Sequence, residues 1–248
     1  VLKSMMAKIG IGAAQVDTVP DSIDVTQGGQ VSGTIRIKGG EVEQQIDRIE
    51  LKLMTEAKHE VDDTQVRTDC ALAQYVLNEK FVLAPGEERA LPFSIELHPE
   101  TPITVVEEGY NESKVWLETS LDIDFAIDPR DKDFLRVHPA PVVAAFIRGM
   151  HDVGYRQVKA DVEKGFLSGQ GFRSTSGIYQ ELEFVPGGFG LGWNRIKEVE
   201  LSFICREDAI HAIVELDRAF SGDGYRCLTI SPDASEDEVR DLLAELLQ

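Results

Sequence analysis

Val115-Trp116-Leu117-Glu118-Thr119-Ser120-Leu121-Asp122-Ile123-Asp124-Phe125-Ala126-Ile127 runs straight into Asp128-Pro129-Arg130-Asp131-Lys132-Asp133, and the reading of this stretch decides the fold. Val115, Leu117, Thr119, Leu121, Ile123, Phe125 and Ile127 fall on one side of an extended chain, the period-2 pattern of a half-buried strand in a β-sandwich. Proline supplies no amide hydrogen, so the ladder is expected to stop at Pro129. The close-set acids and bases from Asp128 to Asp133 then suit a solvated or salt-bridged hinge between two domains. Asp122 and Asp124 alternate with the apolar residues and share the opposite face. They read first as an ordinary solvent-facing side, and second as an acidic surface beside the hinge, where Arg130 and Lys132 would pair with Asp128, Asp131 or carboxylates of a second domain. Asp122, Asp124, Asp128, Arg130, Asp131, Lys132 and Asp133 are therefore the candidate inter-domain or partner-contact residues.

Upstream of this stretch the same period recurs. Val31, Ile35 and Ile37, then Ile49, Leu51 and Leu53, then Phe93, Ile95 and Leu97 alternate with polar residues. Gly28-Gly29, Gly39-Gly40, Pro85-Gly86 and Gly109 punctuate them with turn chemistry. Short alternating strands with frequent turns and no intervening helix indicate an antiparallel β-sandwich. Downstream, Val142, Val143, Phe146, Ile147 and Met150 predict a helix over 139–150, with Pro141 in its first turn where a missing amide hydrogen does no harm. Strands are expected again over 154–162, 178–184, 196–206, 209–219 and 226–230, enough for a second, smaller sandwich. Leu2, Met5, Met6 and Ile9 suggest a short amphipathic helix at the start.

The last segment, 231–248, reads as a helix. Ser235 followed by Glu238 makes a capping box, Glu236 to Glu238 favour its positive end, and Val239, Leu242, Leu243, Leu246 and Leu247 form one apolar stripe. The stripe is a candidate packing or partner helix, seated on its own domain or on a second copy in a homodimer.

Composition narrows the function. With 44 acidic against 25 basic residues and a net charge of -19, the surface repels nucleic acid and anionic lipid. No apolar run is long enough to insert stably in a membrane and the start lacks a signal peptide's core, so a cytoplasmic location is expected. Cys70, Cys205 and Cys227 are scattered, without disulfide or zinc spacing. The five histidines pair with no metal-binding spacing. Gly187-Gly188-Phe189-Gly190-Leu191-Gly192 lacks the Lys-Ser/Thr of a phosphate loop and reads as a hairpin loop beside Trp193. Of the acidic pairs, Asp62-Asp63, Glu87-Glu88 and Glu107-Glu108 suit turns, and neither Asp122 nor Asp128 opens a calcium loop with the required glycine and final glutamate. No catalytic residue, metal site or cofactor is assigned.

The stretch from Leu121 to Phe134, reading L-D-I-x-x-A-I-D-P-x-D-K-D-F and followed by Val137-His138-Pro139, closely resembles the sporulation-control protein M family. Lys38-Gly39-Gly40, Val42-Glu43-Gln44, Ile46-Asp47-Arg48-Ile49 and Leu53-Met54-Thr55-Glu56 agree with it, as do Gly10-Ile11-Gly12-Ala13 and Val16-Asp17-Thr18-Val19. Beyond 140 the likeness rests on Tyr179 to Pro186 and the strand after it. The resemblance implies an all-β, arrestin-like fold of two antiparallel β-sandwich domains, agreeing with a division into 1–137 and 138–248. It also implies a non-enzymatic regulator of sporulation or developmental cell state, working through cytosolic protein partners that it meets at sheet edges and inter-domain loops. The competing reading is a carbohydrate- or ion-binding sandwich, with a hydrolase using paired acids as its enzymatic form.

Overall fold

Pro129 does not end the sheet. In the computed structural model, which describes residues 13–77, 80–123, 128–169, 171–187, 196–218 and 224–247, the chain returns beyond Pro129 as a strand over Arg130–His138. This strand pairs antiparallel with Val115–Ile123, Arg130 opposite Ser120 and Leu135 opposite Val115. Pro129 lies just before the ladder, where its missing amide hydrogen costs no bond, and its carbonyl still accepts from the Leu121 amide. The expected hinge is therefore the opening of a strand inside the first half. The short helix expected over 1–9, Asp124 and the glycine loop over 188–192 with Trp193 lie outside the described residues.

Among the described residues the first half is built from β1 (Gln15–Pro20), β2 (Asp24–Thr26), β3 (Gln30–Lys38), β4 (Gln44–Val61), β5 (Thr64–Val76), β6 (Phe81–Leu83), β7 (Glu88–Glu96), β8 (Tyr110–Asn111), β9 (Val115–Ile123) and β10 (Arg130–His138). Helix α1 (Pro141–Asp152) follows. Then come β11 (Tyr155–Lys164), β12 (Ser168–Gly169), β13 (Phe172–Arg173), β14 (Ile178–Pro186), β15 (Ile196–Cys205), β16 (Ile210–Arg218), β17 (Gly224–Ile230) and helix α2 (Glu236–Leu246).

A three-stranded sheet, β1-β3-β7, faces a larger one in which β4 carries β5 and β6 along one edge and β9, then β10 and β2, along the other. Every odd position of β9 is buried, from Val115 to Ile123, as the alternation requires. These side chains meet Val31, Ile35, Ile37, Phe93 and Ile95 of the smaller sheet in the first core. The hairpin from β4 to β5 turns on Asp62 and Asp63, both at positive φ, 50° and 59°. Two such residues between paired strands suit a primed two-residue turn, which matches the right-handed twist of the strands.

In the second half, β11 and β14 to β17 form one antiparallel run. Where a second sheet was expected against it, the facing layer is helical. Val142, Val143, Phe146 and Met150 of α1 and Val239 and Leu243 of α2 pack with Leu182, Phe184, Leu201 and Val214 in a second core. Two stripes at helical spacing give an apolar face wide enough to cover a sheet. A β-carbon at Gly149 would come within 2.9 Å of Leu243 Cδ1, so its bare backbone lets the two helices close on each other. The cores also trade residues: Ile103 of the first half lies in the second core, and Val162 and Ile178 of the second half lie in the first.

Candidate functional site

The length of β4 creates the join between the halves. β9 covers one edge of β4 only as far as Thr55, opposite Val115, while β5 stays paired on the other edge to Val61. At Lys58 the vacated edge is taken by β11, in parallel, opposite Glu163. β8 adds itself to β11 as well, with Lys159 opposite Tyr110, and the Glu112 amide donates to the Ala160 carbonyl at 2.9 Å. Gly109 makes this approach possible: at φ +80° it faces the Val158 carbonyl group, which a β-carbon would meet at 2.8 Å.

Charges converge on this join. Lys58, with only 6% of its side chain exposed, bridges Glu112 Oε2 and Asp161 Oδ2, each at 2.6 Å. Asp161, at 4%, also holds Lys159 at 2.8 Å, and Lys159 reaches on to Glu183. On the first-half side, Arg67 bonds Glu112 and Glu56, and Lys114 bonds Glu56 at 3.2 Å. Burial pulls the Lys58 ammonium down, but hydrogen bonds and charge from Asp161 and Glu112 outweigh it and hold it above the ordinary lysine value. The Lys58 hydrogen bond, against a smaller effect of burial, keeps Glu112 below the usual carboxylate range. Such a network is expensive to desolvate but costly to break, because removing one partner strands a buried charge.

From Asp161 the acids continue across the outer face of the second sheet. Asp161 faces Glu181 on β14, and Glu183 faces Glu200 on β15. On β16, Glu215 and Asp217 face Glu200 and Glu198. Like charges directly opposite in a sheet are destabilising. Burial, followed by the charges of Glu200, Asp161 and Glu163, pushes Glu181 up to about 8. Burial, then Glu215 and Glu183, pushes Glu200 up to about 7. The oxygens of Asp161, Glu163 and Glu181 lie within 4.8 Å of one another, as do those of Glu183, Glu198 and Glu200. Either carboxylate set is of a kind that holds a hard cation.

The residues singled out from sequence gather elsewhere, at the far end of β9 and β10. Asp122 pairs with Arg48 at 3.3 Å, and Asp128 Oδ1 accepts from the Ile123 amide. Arg130 lies 3.8 Å from Glu118, and the Lys132 ammonium sits 3.5 Å over the Trp116 ring. Asp131 accepts from the Thr18 amide, which turns the acids of β10 toward β1. Asp133 is pushed up to about 7 by burial, then by the charge of Asp131, a hydrogen bond with it and the charge of Asp17. These partners all belong to the first half, so the pairing expected between this cluster and the second half is made instead by Lys58 and Glu112 with Asp161, and by the buried Glu100 with Arg206 at 3.3 Å and the Thr175 and Ser176 amides. Val239 and Leu243 are fully buried in the second core, with Leu242, Leu246 and Leu247 packed against it.

A fold of this shape has known relatives. The family described as SpoOM protein matches residues 2–220. Sporulation-control protein spo0M of Bacillus subtilis (strain 168) is 32% identical over 256 residues, covering 99% of this chain and 95% of the relative. The chain belongs to the Spo0M family. A crystal structure of Spo0M, sporulation control protein, from Bacillus subtilis matches this fold with a TM-score of 0.84 at 30% identity, over 96% of this chain and 98% of the other. The mostly-β, arrestin-like architecture implied by the sequence is thus that of the Spo0M family. The family match stops at residue 220, before β17 and α2.

In this Spo0M-family chain, sequence reasoning passed over Lys58, Glu112 and Asp161, whose partners are remote along the chain. The acidic face did leave a signal. Asp161-x-Glu163, Glu181-x-Glu183, Glu198-x-Glu200 and Glu215-x-Asp217 each put two acids on one side of a strand, and the four strands are neighbours.

Proposed function

We propose that the protein is a non-enzymatic regulator of sporulation or developmental cell state, acting in the cytoplasm through contacts with protein partners. The relation of its halves is held by the charge network around Lys58. The observation that carries this reading is the nearly buried Lys58 tied to both Glu112 and Asp161, because a join made of few, strongly coupled charges is one that a competing charge can open. The relative's role in sporulation control supports the process. Among the described residues no helix is long and apolar enough to cross a membrane.

The outward side chains of β10 supply the partner contact. Arg130 has 67% of its side chain exposed, and Phe134, at 53%, is a large exposed apolar residue four positions along the same face, with Lys132 between them. An outward strand face carrying cations and an aromatic ring suits docking of an acidic segment. Expression of the chain in a Bacillus subtilis strain lacking its own spo0M tests both parts. The chain should restore the count of heat-resistant spores, and the double variant Arg130→Glu, Lys132→Glu, folded by circular dichroism, should not. A folded, expressed chain that restores nothing overturns the sporulation role, and full restoration by the double variant overturns the β10 contact.

A further inference from the structure

We propose that Asp161, Glu163 and Glu181 form a divalent-cation site, of the calcium class, on the outer sheet face beside the join. Asp161 and Glu181 are cross-strand partners on β11 and β14, and Glu163 lies two residues along on the same face as Asp161. All three ligands thus come from paired strands whose register holds them in place, and their oxygens lie within 4.8 Å of one another. The second observation is independent of the clustering. Asp161 is almost wholly buried, its Oδ2 is taken by Lys58 and Lys159, and its Oδ1 is buried with no hydrogen-bond partner. Buried carboxylate oxygens are ordinarily satisfied, and an orphan beside two further carboxylates is placed as a ligand atom would be.

The chemistry selects the ion. Three carboxyl groups offer oxygen alone, which suits hard cations over zinc or copper, and Glu181, pushed up to about 8, would release its proton as the ion binds. Calcium, with bonds of about 2.4 Å and flexible coordination, suits a set of side chains fixed by strand register, whereas magnesium, at about 2.1 Å, demands stricter octahedra. The cations nearby, Lys58, Lys159 and Arg67, are outnumbered by Asp161, Glu163, Glu181, Glu112 and Glu183. The second acidic group is the weaker candidate: Glu183, Glu198 and Glu200 include no fully buried member, and Glu183 already bonds Lys159. A cation bound through Asp161 Oδ1 would share that carboxylate with the join, but the site stands whatever partner the protein meets.

Calcium titration by calorimetry, at constant ionic strength and paired with thermal melts, tests the site. The wild-type chain should bind one Ca2+ saturably and melt at a higher temperature in its presence, as binding to the folded state alone requires. Glu181→Gln and Glu163→Gln should each weaken binding at least tenfold, whereas Glu215→Gln, on the same face but outside the three, should leave it within about twofold. Two conservative variants keep the test decisive if one of them fails to fold. Absence of saturable binding overturns the proposal. So does equal weakening by Glu215→Gln, which would mean diffuse attraction to an acidic surface.

Discussion

Asp133 shows what one carboxyl can do to the whole chain's pH response. Its folded value of about 7 stands well above the ordinary 3.8, so the folded state holds the proton more tightly than the unfolded one. Stability from that proton is complete below the unfolded value and is lost as the pH rises through the folded one. Asp133→Asn should therefore melt at a higher temperature than the wild type at pH 8, and the difference should vanish once the pH falls to about 3, below the unfolded value. Melting curves that stay parallel across that range would remove Asp133 as the cause. The same residue shows why the hinge reading failed. Along β10, Leu135 and Val137 continue inward from Asp131 and Asp133, so the period of a strand was present, but acids stood where apolar residues announce one. What makes those positions tolerable is remote: the Thr18 amide received by Asp131, 113 residues away.

At the scale of elements, local signals were legible and paired ones were not. The Ser235 and Glu238 box is present in full, the Glu238 amide donating to Ser235 Oγ at 3.3 Å and the Ser235 amide to Glu238 Oε2 at 2.8 Å. Because α2 closes the second core through Val239 and Leu243, the loss of its cap should reach the stability of the fold. Ser235→Ala should cost about 1 kcal/mol in urea unfolding. A cost indistinguishable from zero would show that tertiary packing alone holds the first turn. The Asp62-Asp63 turn and the alternation of β9 were equally plain, since each depends on neighbours in sequence. The helical layer of the second half was half visible: both stripes could be read, but their position against the sheet follows from β14 to β17 pairing in one run and leaving a single face to cover.

The molecule as a whole turns on a contact with no local signature. Lys58 and Asp161 are 103 residues apart, and each looks in sequence like a solvent-facing strand position. Only the surplus length of β4 beyond β9 brings them together, and a strand's surplus cannot be seen before its partners are placed. Loss of one member of such a pair costs about 3–5 kcal/mol; Lys159 still faces Asp161 and Arg67 still faces Glu112 when Lys58 is lost, so the low end of that range is expected, and it falls on the join that Lys58 bridges. Hydrogen–deuterium exchange of the Lys58→Met variant reads that loss directly, because join and cores open as separate units with their own free energies. Amides in 110–112, of which Glu112 donates across the join to Ala160, should exchange roughly a hundredfold faster or more than in the wild type, while those around Ile35 and Val214 change less than about tenfold. Join amides that exchange at the wild-type rate, or that speed up no more than the two cores, would contradict a join held by Lys58.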